Sequence, residues 1–185
     1  MSSELNYGPL QGLIGRWKGD RGLDIAPEPD GIEESPFYET ISFEGAGDLT
    51  NAEQQKLLIV RYHQEVFRKS NDEQFHDQFG YLTWDPATGG ITHTFIIPRG
   101  VGVVAEGNAE TGANGVVTIQ VDAPQAAAAQ MIAQSKFMNE NARTVSFTET
   151  IVLDGDKLTY EEHTILDIYG QRTFDHIDKS ELVRQ

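Results

Sequence analysis

The segment ARTVSFTETIVLDGDKLTYEEHTIL, residues 142–166, decides the class of fold. Its first half alternates between apolar and polar side chains, which is typical of a β-strand with one buried face. The apolar positions are Val145, Phe147, Ile151 and Leu153, and the polar positions are Thr144, Ser146, Thr148 and Thr150. The tetrapeptide Leu153–Asp156 supplies an Asp-Gly turn before a second β-rich run. This combination predicts an antiparallel β-hairpin.

Similar strand patterns occur on both sides of this hairpin. They lie at PFYETISFEG (36–45), KLLIVRYHQEVF (56–67), GGITHTFIIP (89–98), GVGVVAEGNAETGANGVVTIQV (100–121) and RTFDHIDKSELVRQ (172–185). Turn residues separate these runs, as in DPATGG at residues 85–90, where Pro comes early and glycines close the turn. About nine or ten short strands at this spacing predict an all-β fold, either an antiparallel barrel or a sandwich.

Helix is scarce in the sequence. A short helical turn is predicted at Pro9–Ile14, and a second helical stretch is predicted at Pro124–Met138, PQAAAAQMIAQSKFM. The alanine run favours helix in the second stretch by intrinsic propensity. No internal repeat or linker divides the chain, so a single domain is expected.

The composition excludes several classes of partner. The 185 residues include 29 acidic and 14 basic side chains, which give a net charge of −15. Such a field repels nucleic acids and anionic membranes. The sequence has no cysteine, so disulfides and thiolate chemistry are absent. The first residues, MSSELNYGPLQG, lack the pattern of a secretory signal, and a cytoplasmic location is expected.

The acidic segment GDRGLDIAPEPDGIEE, residues 19–34, contains many carboxylates. Their spacing does not match a calcium-binding loop. We therefore predict a solvated loop for this segment.

The stretch FHDQFGYLTW, residues 75–84, has two different faces if it is extended. One face carries Phe75, Asp77, Phe79 and Tyr81, and the other carries His76, Gln78 and Leu82. The mostly aromatic face is the one expected to border an enclosed space. The stretch is therefore either an ordinary core strand or the wall of a ligand pocket.

The sequence contains five histidines, namely His63, His76, His93, His163 and His176. No two of them have metal-ligand spacing on one element, which argues against a zinc site built from local ligands. A haem, however, needs only one protein nitrogen from the wall of an apolar pocket. A barrel of about ten strands encloses room for one such ligand.

The pentapeptide Gly15–Gly19, GRWKG, opens the first predicted strand. It resembles the GxWxGxG motif of the nitrobindins, small haem-binding β-barrels related in shape to fatty-acid-binding proteins; the motif's third glycine falls at Arg21 here. Further stretches are similar in the same order: PFYETISFEG (36–45), YHQEVFRKSNDEQFHDQFGYLTW (62–84), GGITHTFIIPRGVGVVAEG (89–107), VLDGDKLTYEEHTI (152–165) and FDHIDKSEL (174–182). The resemblance implies a single up-and-down antiparallel barrel, lipocalin-like and of about ten strands, over residues 1–185.

The resemblance also implies a set of site residues. His176 corresponds to the axial ligand of a haem b iron, and Phe75 and His76 correspond to residues near the other face of the haem. Arg143 and Lys136 are the local candidates to pair with the haem propionates, with a solvated surface role as their alternative. The implied reactions are nitric oxide binding and, if the protein is an enzyme, isomerisation of peroxynitrite to nitrate.

Two other functions stay open at this point. The barrel can carry a fatty acid or another small apolar ligand without haem, or it can act as a scaffold for a protein partner. Beside the family pattern, residues 124–138 resemble an enlarged insertion that covers the barrel mouth or mediates self-association, for example as a homodimer.

Two further expectations concern individual contacts. The second ring nitrogen of His176 needs an acceptor, but neither Asp175 nor Asp178 is assigned this role, because neighbours on a strand point to opposite faces. Trp17 is expected to plug the closed end of the barrel, with Arg184 lying across its ring as a cation–π partner.

Overall fold

The computed structural model describes residues 5–28, 31–170 and 172–185. Eleven strands lie in these residues, and ten of them form a closed antiparallel barrel. The strands are β1 (Gly15–Glu28), β2 (Gly31–Asn51), β3 (Gln55–Arg68), β4 (Gln74–Trp84), β5 (Gly90–Ile97), β6 (Val101–Thr111), β7 (Val117–Ala123), β8 (Ile132–Gln134), β9 (Ala142–Asp154), β10 (Lys157–Ile168) and β11 (Arg172–Arg184). Pairing of β1 with β11 joins the first and last strands. The predicted antiparallel barrel is confirmed.

A 3₁₀ helix at Gly8–Leu13 seals one end of the barrel, close to the predicted helical turn. Leu10 and Leu13 on this helix are fully buried. The helix approaches the wall so closely that a Cβ at Gly12 would lie 2.5 Å from the Leu153 side chain. Since the chain returns to this end at the β9–β10 turn, the hairpin at residues 142–166 supplies part of the seal.

Trp17 and Arg184 complete the closed end, as predicted. The guanidinium carbon of Arg184 lies 4.3 Å from the centre of the Trp17 ring. The same guanidinium donates hydrogen bonds to the carbonyl oxygens of Ile14 (2.7 Å) and Gly12 (2.6 Å). The Trp17 indole donates to Leu13 O at 2.7 Å. One side chain of the last strand therefore fixes both the first strand and the helix that precedes it.

At the open end, several short elements take the place of the single helical stretch predicted at Pro124–Met138. A 3₁₀ turn at Gln125–Ala127 leads into α1 (Ala128–Met131), and β8 separates it from α2 (Lys136–Asn141). The helix is interrupted because Ile132 is buried and pairs with β6 at Val103. Among the described residues, no helix combines the length and apolar character needed to cross a bilayer.

The side chain of Gln134 links β8 to β9. Its amide nitrogen donates to Thr144 O, and its amide oxygen accepts from Thr144 N, both at 2.8 Å. This side chain takes the place of a backbone ladder between the two strands. The wall of the barrel is thereby closed between β6 and β9 near the open end.

The predicted solvated loop at residues 19–34 is wrong, because its described residues belong to strands β1 and β2. A bulge adds one residue to β1 between Gly19 and Leu23 relative to β11. Bulges shift the alternation of a strand, and after this one Asp24 is turned inward and is 5% exposed. Gly22 has no room for a side chain, since a Cβ there would lie 2.0 Å from the Phe37 ring.

The expected orientation of residues 75–84 is also wrong for the aromatic face. Phe79 and Tyr81 point outward and are 55% and 50% exposed. Gln78 and Leu82 are buried on the inner face. The side of the strand that carries Gln78 and Leu82 therefore faces the enclosed space.

Replacing Arg184 with alanine is expected to lower the free energy of unfolding by about 2–4 kcal/mol. The variant loses the contact with the Trp17 ring and leaves two carbonyl groups without their donors. Chemical denaturation followed by tryptophan fluorescence measures the change.

Arg61→Ala is the matched control, because Arg61 makes only an exposed ion pair with Glu44 and exposed pairs contribute at most about 1 kcal/mol. Equal losses in the two variants would show that Arg184 has no special role.

Candidate functional site

The inner wall of the barrel carries an unusual number of buried polar side chains. They are Asp24, Ser35, Glu39, Gln64, Gln78, His93, Thr144, Glu149 and Ser180. Buried polar groups destabilise a fold unless they are paired, and a barrel that only stored apolar ligands would not need them. The polar wall therefore makes the interior of the barrel the candidate functional region.

Asp24, His176 and Asp178 form a cluster on two neighbouring strands. Nε2 of His176 lies 2.6 Å from Asp24 Oδ1 and 3.4 Å from Asp178 Oδ2. Asp24 pairs directly with Asp178 across the β1–β11 ladder. His176 and Asp178 share the inner face of β11 because they are two residues apart.

The two carboxylates change the protonation of the imidazole. Burial disfavours the charged ring, but the hydrogen bond with Asp24 and the charge of Asp178 outweigh it and raise the pKa of His176 above its ordinary value. Burial raises the pKa of Asp178 to about 6, although His176 acts in the opposite direction. The two carboxylates therefore favour the protonated form of the imidazole.

His76 lies at the open end in a different environment. It lines a cavity of about 380 Å³ with Gln74, Phe75, Asp77, Ile97, Pro98 and Arg99. Burial lowers the pKa of His76, and the charges of Arg99 and His176 act in the same direction. His76 is therefore a neutral imidazole at neutral pH, in contrast to His176.

A chain of polar contacts runs from His76 into the barrel. His76 Nε2 lies 3.2 Å from Gln78 Oε1, and Gln78 Nε2 donates to the Tyr62 hydroxyl at 2.5 Å. This hydroxyl lies 2.7 Å from His93 Nε2. His93 Nδ1 is 2.8 Å from Glu149 Oε2, although the two atoms are out of line for a regular hydrogen bond. Because Gln78 uses its amide nitrogen on Tyr62, its oxygen accepts from His76 and fixes the tautomer of that ring.

The interior below this level is nearly filled. The cavity among Tyr62, Gln64, His93, Glu149 and Tyr160 has a volume of only about 20 Å³. Such a volume holds about one water molecule. A large ligand therefore does not fit among these side chains.

Glu39 is the most deeply buried carboxyl group, at 1% exposed. Its Oε2 accepts hydrogen bonds from Gln64 Nε2 (2.7 Å) and from the Tyr160 hydroxyl (3.2 Å). Burial raises its pKa to about 7, and these hydrogen bonds act in the opposite direction. Glu39 is consequently a neutral acid over much of the range in which exposed carboxyls are ionised.

The structure brings some of the predicted site residues together but not others. Phe75 and His76 line the mouth, and His176 is close enough for its charge to affect His76. Arg143 is instead paired with Asp167 at 2.9 Å, and the exposed Lys136 lies 3.8 Å from Glu140. Neither of these two cations lines the cavity at the mouth.

Sequence reasoning missed Asp24, Asp178 and Arg99. Asp24 was not identified because of the bulge in β1. Regular alternation from Trp17 would place Leu23, and not Asp24, on the inner face. Asp178 was left unassigned, and the structure places it on the same face as His176, as their spacing of two allows, with 3.4 Å between Asp178 Oδ2 and Nε2 of the ring. Arg99 lies in the β5–β6 turn, where the sequence pattern predicted no site residue.

A closed antiparallel barrel with polar groups gathered at one open end is the architecture of a small-molecule-binding barrel. A model of the THAP4-like, heme-binding beta-barrel domain matches residues 6–184. The chain therefore belongs to this family, and haem is the cofactor of the family. A comparison with curated protein sequences gives no match.

Solved structures agree with the fold. Rv2717c from M. tuberculosis has 19% sequence identity and a TM-score of 0.67, with 95% of this chain and 94% of that chain covered. An S-type phycobiliprotein lyase, CPES from Guillardia theta, has 11% identity and a TM-score of 0.48, with 95% and 90% covered. The first of these likenesses supports the shared barrel architecture.

Residues at the open end fit a haem. The hydrogen bond from His176 to Asp24 is of the kind that orients metal-ligating imidazoles, and among the described residues His176 Nδ1 makes no hydrogen bond. Phe75 and Ile97 supply apolar surface at the mouth, and Arg99 supplies a cation that suits an anionic propionate.

The stability of the protein is expected to fall as pH rises from about 4.5 to about 7. The pKa of Glu39 is raised from 4.5 to about 7, so the folded chain keeps a proton that the unfolded chain has lost. Ionisation of Glu39 therefore lowers the free energy of unfolding by up to about 3 kcal/mol between these two pH values. Glu39→Gln cannot titrate and keeps an acceptor oxygen. The free energy of unfolding of this variant should therefore fall less over the same pH range, by about that amount.

Urea denaturation at about pH 5 and about pH 8 measures this difference. Glu110→Gln, which changes an exposed carboxylate on β6, should behave like the wild type. If Glu39→Gln also keeps the wild-type slope, Glu39 is not the buried acid responsible.

Proposed function

We propose that the barrel binds one haem b at its open end, with His176 as the axial ligand of the iron, and that the bound haem reacts with nitric oxide or peroxynitrite. The observation that carries this proposal is the 2.6 Å contact between His176 and the buried Asp24, beside a cavity lined by Phe75 and Arg99. Family membership supports haem as the ligand.

Asp24 and Arg99 have separate tasks in this arrangement. Asp24 accepts the N–H of His176, holds the ring in one orientation and makes it a stronger electron donor. Its own backbone is fixed by ladders on both sides, to β2 and to β11. Arg99 provides the positive charge that an anionic haem needs near so acidic an interior.

Phe75 and His76 form the opposite side of the mouth. Phe75 is held edge-on to Phe37, with ring centres 6.2 Å apart, and Arg68 covers its face at 4.6 Å. His76 is neutral and its Nε2–H is directed to Gln78, so Nδ1 is its free lone pair. This arrangement offers a polar acceptor next to an apolar wall, in a position to order small reactants.

Bound haem would supply a Lewis-acidic iron that coordinates nitric oxide or an oxygen of peroxynitrite. The residues around it would exclude bulk water on one side and keep His176 fixed throughout. No proton transfer is required for isomerisation of peroxynitrite to nitrate, so His76 would only order the small reactants.

Carriage of a fatty acid inside the barrel is less well supported. Ligand cavities of that kind have volumes of about 300–1,000 Å³ and mostly apolar walls. Here the interior cavity measures about 20 Å³ and is bordered by Glu149 and Glu162.

Titration of the haem-free protein with hemin is expected to give a saturable Soret shift at about one haem per chain. His176→Ala should lose the shift, and Asp24→Asn should weaken haem binding by about 10- to 100-fold because an uncharged amide oxygen is a weaker acceptor for the ring than a carboxylate. His63→Ala is the matched control, since this ring stacks on the outward-facing Phe79 at 3.9 Å. Unchanged affinity in His176→Ala would refute the proposed ligand.

Reactivity is tested on the haem-loaded protein. Nitric oxide should shift the Soret band, and stopped-flow mixing should show faster decay of peroxynitrite with nitrate as the product. A haem-loaded protein that leaves the decay rate unchanged would remove the isomerase activity while keeping haem binding.

A further inference from the structure

Four acidic side chains form a row across four adjacent strands on the inner wall of the barrel. The ladders pair Asp24 with Asp178, Asp178 with Glu162, and Glu162 with Glu149. Like charges directly opposite each other on neighbouring strands destabilise a sheet. A row of this kind is retained only if protons or cations balance its charge.

One end of this row already has the donor set of a metal site. Asp24, Asp178 and His176 each present one ligand atom, and these atoms lie within 4.8 Å of one another. Asp24 is 5% exposed, and all three residues lie on the neighbouring strands β1 and β11. The set comprises two carboxylate oxygens and one imidazole nitrogen.

Further polar groups lie one step deeper on the same wall. Glu39 and Ser180 are more than nine-tenths buried, at 1% and 4% exposed. The Ser180 side chain lowers the pKa of Glu39 as a hydrogen-bond partner, although the contact of Ser180 Oγ with this carboxylate is not of regular geometry. Ser180 follows Asp178 by two on the inner face of β11, and the charge of Asp178 raises the pKa of Glu39. Polar side chains therefore continue from the cluster into the barrel.

We propose that Asp24, Asp178 and His176 form a binding site for a divalent transition-metal cation, and that this cation competes with haem for His176. The competition rests on the proposed function, whereas the metal site itself does not. The metal takes the place of the proton that His176 and Asp24 share, and that proton is released to solvent. Two carboxylates balance the charge of the cation, and its remaining positions are filled by water.

The donor set determines which cations bind. Calcium and magnesium prefer sites made entirely of oxygen, so the imidazole selects for Mn²⁺, Fe²⁺ or Zn²⁺. The acidic row attracts a cation and repels the propionates of haem. Occupancy of His176 therefore depends on the concentrations of both ligands.

The first test is a titration of haem-free protein with Mn²⁺, followed by the loss of the free-ion EPR signal. The wild type should bind about one Mn²⁺ per chain, and Zn²⁺ should displace it whereas Ca²⁺ should not. Asp178→Asn and His176→Ala should each weaken binding by at least about tenfold. Glu161→Gln, which alters the exposed pair of Glu161 with His163, should bind like the wild type.

The second test separates this inference from the haem proposal. Asp178→Asn should still bind hemin, because Asp24 and His176 are intact, and Zn²⁺ should raise the apparent haem dissociation constant of the wild type but not of this variant. Absence of Mn²⁺ and Zn²⁺ binding by the wild type overturns the metal site, as does unchanged binding in a folded Asp178→Asn variant. Metal binding without haem binding overturns only the proposed function, and simultaneous binding of both ligands overturns the competition.

Discussion

Pairing between the first and last strands is the constraint on which the rest of the molecule depends. The β1–β11 ladder closes the barrel, and both of its important features lie along it. At the closed end, Trp17 contacts Arg184. At the open end, Asp24 contacts His176. The bulge between Gly19 and Leu23 separates these two features and changes which side of β1 faces inward. The contact that stabilises the closed end and the candidate site therefore both lie along the β1–β11 ladder, and the bulge separates them.

Alternation along residues 142–166 and along the similar runs predicted an all-β fold, barrel or sandwich, and it survives in almost every strand. The family resemblance decided for the barrel. The contact of Trp17 with Arg184 was predicted from a common feature of barrels of this shape, and the β1–β11 register places the two residues opposite each other. Sequence reasoning failed where a single residue changes the pattern. One extra residue in β1 turned Asp24 inward, and one buried Ile132 interrupted the predicted helix. Neither a bulge nor a short bridging strand leaves a strong local signal, because each is decided by contacts with distant strands.

The candidate site was harder to predict than the fold for an electrostatic reason. The resemblance implied His176, Phe75 and His76, but the two cations expected beside them pair elsewhere, with Asp167 and Glu140. The net charge of the chain is −15, and in the described residues seven of the 14 basic side chains pair with a carboxylate. Arg99 lies at the mouth because the β5–β6 turn carries it there. The contrast between a neutral His76 and a proton-sharing His176 likewise follows from burial and from the bulge, which alone brings Asp24 to the ring.

The short connection between β8 and β9 has a consequence for the kinetics of ligand binding. Elsewhere the wall consists of continuous backbone ladders, which separate only when many hydrogen bonds break together. Here the two hydrogen bonds of Gln134 with Thr144 take the place of a ladder, and their net contribution is about 1–3 kcal/mol. The barrel can therefore part along this line on a much shorter timescale than that of global unfolding. Local opening along this line would widen the open end without unfolding of the barrel.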